Sequence, residues 1–507
     1  MKKILLLFSI SLFFFGSCDE DEFLREEPKD AIYSENLFVD YSGFCASMNS
    51  VYGMMRKLYI DSELAGQEGL WVINTDNVST RDSPINRFEG MSPAWERNSI
   101  EDIKEKMKKD LIFAVDNLPL DREDKIRING AVARHYLGEL YLSLCDFQNA
   151  LDVLKPLCEG SSFSLVKDRF GRVAGNPDGN MFKDVIRSPF TNQGNTETFF
   201  VISNGLDIPG SQILNLMENW VGHYRKYSKI QQNAEWHERF GGCGRGRYIC
   251  TPWSMFNESD YQLYDQYKYL KDPADEHIID QWLWTNTDGR DNYLYEMDDI
   301  RGIETSIRKF FVYDWNANGS LTDTSTYPLS ETLYRNDVAF NDDMNEGDSL
   351  YTLDIFRPDD MGKPDNADRH TYMYTRKWEL DNTTTNDWNK RGNAYLTVGH
   401  LRLAESYLLY AEAHLMNGNP GDAAIWINAI RERAGASTIS SGDVSIDYIL
   451  DERSRELIGE EHHKLYPFPS EAIDANKDRI LDQNLGWGGS TTVDYTPTGY
   501  PDEGINP

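Results

Sequence analysis

The residues best spaced to do chemistry in this sequence form a short acidic loop. Asp314, Asn316 and Asn318 stand at the first, third and fifth positions of the calcium-loop pattern. The twelfth position is Ser325, so the loop lacks the bidentate glutamate of such sites, and its calcium affinity should be weak. A loop stabilised only by Asx turns explains the same residues. We expect no other cofactor.

Catalytic motifs are missing from the sequence. It contains no Gly-x-Ser-x-Gly elbow, phosphate-binding loop or His-Glu-x-x-His helix. The run Glu460-Glu461-His462-His463 has zinc-ligand residue types at the wrong spacing, and a charged helix end explains it better. Carboxylate pairs are too common among 83 acidic residues for a glycosidase pair to be identified. The sequence therefore gives no support to enzymatic activity.

Aromatic residues concentrate between residues 176 and 393, where eight of the twelve tryptophans lie. The C–H face of a sugar packs on an aromatic ring, while Asn, Asp and Arg side chains bond its hydroxyls. Tryptophan is also a common packing residue, which is the alternative. The candidates for ligand contact are Asp76, Asn77, Arg81, Trp95, Trp253, Trp282 and Trp315, with Trp220, Trp236 and Trp284 as further aromatic positions.

The N-terminus has the form of a secretory signal. Lys2 and Lys3 precede an apolar run over residues 4–15, which is shorter than the roughly 20 residues of a transmembrane helix. The run ends in Phe14-Phe15-Gly16-Ser17-Cys18, which resembles a lipobox with Phe where Leu is usual. We predict a signal peptide over 1–17 and a lipid on Cys18. A secreted protein without a lipid is the alternative.

Net charge and cysteine content narrow the possible ligand classes and the type of scaffold. The net charge is -32, and acidic residues 19–22 follow Cys18 as a solvated tether. Such a charge argues against nucleic acid or anionic lipid as the main ligand, whereas a neutral sugar is unaffected. The five other cysteines are too few and too scattered for a disulfide framework. Cys243 and Cys250 are the only near pair, and a bond between them is left open.

Two segments share a helical spacing that predicts the scaffold. Gly138 and Ala150 are twelve residues apart, as are Ala411 and Ala423. Small residues at this offset let antiparallel helices approach closely, as in tetratricopeptide hairpins, although any amphipathic hairpin shows part of this pattern. Helices are also predicted over 39–58 and 99–117. We predict a mostly α fold, with long irregular loops and short strands over 176–393.

With these features the chain resembles the SusD/RagB lipoproteins almost end to end. It departs from them after Trp95 and after His463, where the family usually has further segments. The most specific matching runs are Leu401-Arg402-Leu403-Ala404-Glu405, Ile430-Arg431-Glu432-Arg433-Ala434-Gly435 and Glu452-Arg453-Ser454-Arg455-Glu456-Leu457.

This resemblance implies a mostly α, SusD-like fold and a non-catalytic lipoprotein on the outer face of a bacterial outer membrane. It implies oligosaccharide capture and delivery to a TonB-dependent, SusC-like transporter. Some relatives take peptides, so a peptide ligand is the alternative, and a surface glycosidase is a third. The resemblance also divides the chain into the signal peptide, an N-terminal region over 18–205 with tetratricopeptide-like helices, and a C-terminal region over 206–507.

Overall fold

The computed structural model describes the helical part of the chain and the strands next to it. The described residues are 41–60, 78–80, 99–171, 174–175, 179–204, 220, 248–250, 295–296, 298–302, 306–308, 310–312, 350–352, 374–379 and 397–460. Contacts divide the chain into two compact units, Met1–Met55 and Arg56–Pro507. All interactions below lie in the second unit.

Helices dominate the described residues, which confirms the predicted mostly α class. Two 3-10 turns, Thr191–Gln193 and Arg376–Trp378, accompany them. The helices are α1 (Tyr41–Ile60), α2 (Ile100–Asn117), α3 (Gly130–Ser143), α4 (Phe147–Cys158), α5 (Met181–Arg187), α6 (Leu403–Met416), α7 (Pro420–Ala434) and α8 (Ile446–Leu457). Within the described ranges, none of them is both long and apolar enough to cross a membrane.

Eight short strands form four antiparallel ladders among the described residues. In chain order they are β1 (Val78–Thr80), β2 (Thr198–Ile202), β3 (Tyr248–Cys250), β4 (Ile307–Arg308), β5 (Phe310–Val312), β6 (Leu350–Thr352), β7 (Tyr374–Thr375) and β8 (Val398–Arg402). The pairs are β1 with β3, β2 with β8, β4 with β7 and β5 with β6.

The two predicted helical hairpins are present, and they pack on each other. A Cβ on Gly138 of α3 would lie 2.6 Å from Cγ of Leu154 on α4, so a larger residue at this crossing would displace the Leu154 side chain. Ala411 and Ala423 occupy the matching positions of α6 and α7, and both are fully buried. Side chains of α3, α4 and α6 share one apolar cluster. The tertiary structure thus stacks hairpins that are far apart in the sequence.

Local signals set the ends of these helices. The Oδ1 atom of Asn129 accepts a hydrogen bond from the backbone N–H of Val132 at 3.1 Å and caps α3. Ser99 and Ser445 cap α2 and α8 in the same way. Gly435 ends α7 at a φ of 83°, in the left-handed region that favours glycine.

The β2–β8 ladder joins the two ends of the segment over residues 205–396. Thr198 of β2 pairs with Arg402 of β8, and Ile202 pairs with Val398 at the other end. All five residues of β2 are buried, which explains its apolar run. We call α3, α4, α6, α7 and α8 with this ladder the frame, and residues 205–396 the insertion. The insertion therefore leaves and rejoins the frame on adjacent strands.

Candidate functional site

The residues predicted to contact a ligand lie outside the described residues. This holds for Asp76, Asn77, Arg81, Trp95, Trp253, Trp282 and Trp315. It holds also for Cys18, for Cys243 and for the calcium candidates Asp314, Asn316 and Asn318. These assignments stay predictions. Across the part of the chain that is described, no three His, Cys, Asp or Glu residues group as metal ligands.

Two of the described ladders are sequence neighbours of these candidates. β1 begins at Val78, directly after Asn77, and Val78 pairs with Cys250 of β3, three residues before Trp253. β5 ends at Val312, three residues before Trp315, and Val312 pairs with Leu350. The described strands therefore begin or end within three residues of Asn77, Trp253 and Trp315.

Trp220 corrects one expectation from the sequence. It was a further candidate for a ring platform, yet only 1% of its surface is exposed. A platform needs an accessible ring face, so Trp220 is a packing residue. Residue type alone does not distinguish a packed tryptophan from an exposed one.

The described residues contain instead a buried network of ion pairs centred on Glu456 of α8. The Oε1 atom of Glu456 accepts hydrogen bonds from Arg402 Nη1 at 2.5 Å and from Arg433. Arg402 also bonds Glu197 Oε1 at 2.7 Å, and Arg433 bonds Glu197 Oε2 at 2.7 Å. Two arginines therefore bridge two carboxylates, an arrangement that leaves both acids fully paired.

A second group of charges lies one helical turn away around Glu452. Its carboxylate accepts from Arg301 Nη1 at 2.7 Å, from Arg431 Nη1 at 3.1 Å and from Arg455 Nε at 2.9 Å. Arg301 also reaches Glu456 Oε2 at 3.2 Å and so joins the two groups. Helix α8 places both glutamates on one face because they are four residues apart.

The electrostatics of these two glutamates follow from burial among arginines. Burial by itself raises the pKa of Glu452, but Arg301, Arg455 and Arg431 outweigh it and hold the pKa at about 2. Burial likewise raises the pKa of Glu456, and Arg433, Arg402 and Arg301 together bring it well below its usual value. Both side chains are therefore ionised at neutral pH.

Glu460 extends the network just beyond the end of α8. Its carboxylate accepts from Arg402 Nε at 2.6 Å and also pairs with Lys377 of the insertion. The sequence suggested an ordinary charged helix end here. The structure places Glu460 in a largely buried ion pair, while Glu461, His462 and His463 lie outside the described residues.

A buried histidine on α3 stays uncharged near neutral pH. The Nδ1 atom of His135 lies 2.8 Å from Ser406 Oγ, and its Nε2 atom lies 3.8 Å from Glu405 Oε2. Burial, with a further effect of Arg453, lowers the pKa of His135 to about 3. Its ring packs edge-on against Tyr136 at 5.5 Å between centroids. His135 is therefore a packing residue rather than an acid–base group.

Aromatic rings also meet where the two hairpins join. Trp426 of α7 lies edge-on to Tyr407 and Tyr410 of α6, with centroid distances of 4.8 and 5.1 Å. The hydroxyl of Tyr410 donates to Glu159 Oε1 at 2.8 Å. Edge-to-face rings are typical of packing between helices, and we assign this cluster to the frame.

The network holds elements of the structure in place. Each carboxylate of Glu197, Glu452 and Glu456 is fully buried and bonded to at least two arginines, so none presents a lone pair to a ligand. Sequence analysis missed these pairings. The signal was present as charged residues among apolar ones, such as Arg402 between Leu401 and Leu403, but this pattern does not identify the partner.

A sequence model described as the SusD family matches residues 212–465, which is half of the chain. A search of curated proteins finds no match.

Solved structures with a similar course of the chain include three bacterial proteins. Surface glycan-binding protein A from Bacteroides uniformis is 15% identical, with a TM-score of 0.45, over 77% of this chain and 64% of its own. A SusD superfamily protein from Bacteroides vulgatus is 16% identical, with a TM-score of 0.40, over 86% and 71%. Surface glycan-binding protein A from Bacteroides thetaiotaomicron, in complex with laminarihexaose, is 15% identical, with a TM-score of 0.44, over 78% and 67%. The chain thus spans less than two thirds of the Bacteroides uniformis protein.

Proposed function

The chain belongs to the SusD family, and on this premise we propose that it is a surface lipoprotein that binds oligosaccharides. In this proposal it has no catalytic role and passes its ligand to a TonB-dependent, SusC-like transporter in the outer membrane. The family match over residues 212–465 is the observation that carries the proposal. It covers residues 212–396 of the insertion and both helices of the second hairpin.

The ligand class follows from residue chemistry. Tryptophans such as Trp253, Trp282 and Trp315 offer rings for the C–H faces of a sugar, and Asp76, Asn77 and Arg81 offer partners for its hydroxyls. A net charge of -32 does not oppose a neutral glycan. The glycan-bound Bacteroides thetaiotaomicron protein makes laminarihexaose a reasonable first probe.

Binding to a panel of oligosaccharides tests the proposal. We expect the protein without residues 1–18 to bind at least one panel glycan with a saturable isotherm, and to leave every member intact after long incubation. Calorimetry measures the first result and chromatography of reducing ends the second. Peptide mixtures serve as the control. Retention of peptides without any glycan response would favour the peptide-binding alternative, and release of new reducing ends would favour the glycosidase.

Attachment through Cys18 is the second part of the proposal. Each buried methylene contributes about 0.8 kcal/mol, so two or three acyl chains would hold the protein firmly on a membrane. Replacing Cys18 with alanine should move the protein from the membrane fraction to the soluble fraction and should not change its affinity for a glycan in solution. Cys145, which is exposed in the turn between α3 and α4, provides the control: Cys145→Ala should stay with the membrane. Membrane retention of Cys18→Ala would refute the anchor.

A further inference from the structure

The insertion returns to the frame beside helix α8, and it does so through charged side chains. Glu296, Ile300, Arg301, Lys377 and Trp378 of the insertion make polar contacts here. Glu296 pairs with Arg431 of α7. The side-chain contacts with α8 and the turn after it fall into two groups, one around Arg301 and one around Lys377. We call Arg301 and Lys377, with the carboxylates that they bond, the clamp.

Arg301 uses all three of its guanidinium nitrogens and reaches α8 through one of them. Its Nε and Nη2 atoms donate to Asp299 at 2.9 and 2.7 Å, which fixes the guanidinium plane within the insertion. Its Nη1 atom then donates to Glu452 and Glu456 of the frame. The backbone N–H of Ile300 adds a bond to the carbonyl of Ala434 at 2.9 Å. Arg301 is 2% exposed, so these bonds are formed away from water.

Lys377 makes the second link, two residues after β7 and at the same end of the β4–β7 ladder as Arg301. Its Nζ atom donates to the carbonyl oxygen of Glu456 at 2.8 Å and pairs with Glu460. The indole N–H of the next residue, Trp378, donates to the carbonyl of Gly459 at 2.9 Å. A Cβ on Gly459 would lie 2.8 Å from Thr375 Cγ2, so the Thr375 side chain lies close to the turn after α8.

The two links lie at the two strands of one ladder. Ile307 of β4 pairs with Thr375 of β7, and the N–H of Arg376 donates to the carbonyl of Ser306 at 2.8 Å. β5 follows β4 after a single residue and ends at Val312. The clamp therefore fixes the strands from which the stretch containing Trp315 departs.

We propose that Arg301 and Lys377 are positioning residues that hold the β4–β7 ladder of the insertion on helix α8. Arg433 belongs to the same network but has a different role, because it joins Glu197 and Glu456, which are both in or beside the frame. Losing Arg301 leaves Asp299 buried in the insertion without its guanidinium partner. Losing Arg433 removes a partner of Glu197 and Glu456, neither of which belongs to the insertion. The two arginines are equally buried at the side chain, which makes them a matched pair.

Hydrogen exchange of the ligand-free protein tests this proposal. In Arg301→Met, we expect amides of residues 306–312 and 374–379 to exchange at least about tenfold faster, while those of α3 and α4 keep their rates. Arg433→Met should leave the exchange of the insertion ladder within about twofold of the wild type. Lys377→Met should reproduce the effect of Arg301→Met, and it carries the test if circular dichroism shows that Arg301→Met does not fold.

Two results would overturn the proposal. One is unchanged exchange of the ladder in the clamp variants, and the other is an equal increase in Arg433→Met. A consequence for ligand binding rests on the proposed function: clamp variants should raise the Kd for a panel glycan, with laminarihexaose first, by about tenfold more than Arg433→Met does. If the wild type binds no glycan, the proposed function fails, and the exchange comparison still decides the role of the clamp.

Discussion

Glu456→Gln is expected to lower the free energy of unfolding by about 3 to 5 kcal/mol. The Glu456 carboxylate is fully buried and accepts hydrogen bonds from Arg402, Arg433 and Arg301. A neutral amide of the same shape leaves three buried cations with less compensating charge, and its NH2 group cannot accept their hydrogen bonds. Urea denaturation followed by circular dichroism measures the change.

A surface glutamate provides the control for this substitution. Glu105 pairs with Lys108 at 3.7 Å on α2, and its side chain is 73% exposed. Glu105→Gln should change the free energy of unfolding by less than about 0.5 kcal/mol, since exposed ion pairs contribute little. Equal losses in the two variants would mean that the buried network does not stabilise the frame.

Acid is expected to destabilise the protein in a pH range set by the same carboxylates. The pKa of Glu452 falls from an ordinary value of 4.5 to about 2 on folding, and that of Glu456 is also lowered. A lowered pKa in the folded state contributes stability that is complete above the unfolded value and disappears as the pH falls through the folded value. Glu452 alone should therefore contribute about 3 kcal/mol that is lost between pH 4.5 and pH 2.

Urea titrations at several pH values over this range measure the loss. Glu452→Gln supplies the comparison, because it removes the titrating group while the remaining acids still titrate. Its free energy of unfolding should start lower and fall less steeply with acid than that of the wild type. Parallel curves for the two proteins would show that Glu452 is not the origin of the acid sensitivity.

The same buried carboxylates account for both expectations. The carboxylates that would lose their charge in acid also hold the insertion on α8 through Arg301. Acid should therefore release the insertion ladder together with the rest of the network.

The sequence alone determined the hairpins, because their signals are local. Gly138 and Ala150 lie at the fixed offset that two crossing helices require, and Asn129 and Gly435 mark helix ends through their own side-chain and backbone chemistry. The short strands predicted over 176–393 include β2. The family resemblance came from short runs around Arg402, and the match over residues 212–465 confirms it.

Only the tertiary structure decided how these parts meet. Arg402 lies 205 residues from Glu197 and Arg301 lies 155 from Glu456, and charge gives attraction without specifying a partner among 83 acids. Trp220 shows the same limit for aromatic residues, since its residue type did not reveal that the ring is buried. Periodicity and capping act within a few residues of the chain. Ion pairing and burial depend on which distant elements the fold brings together.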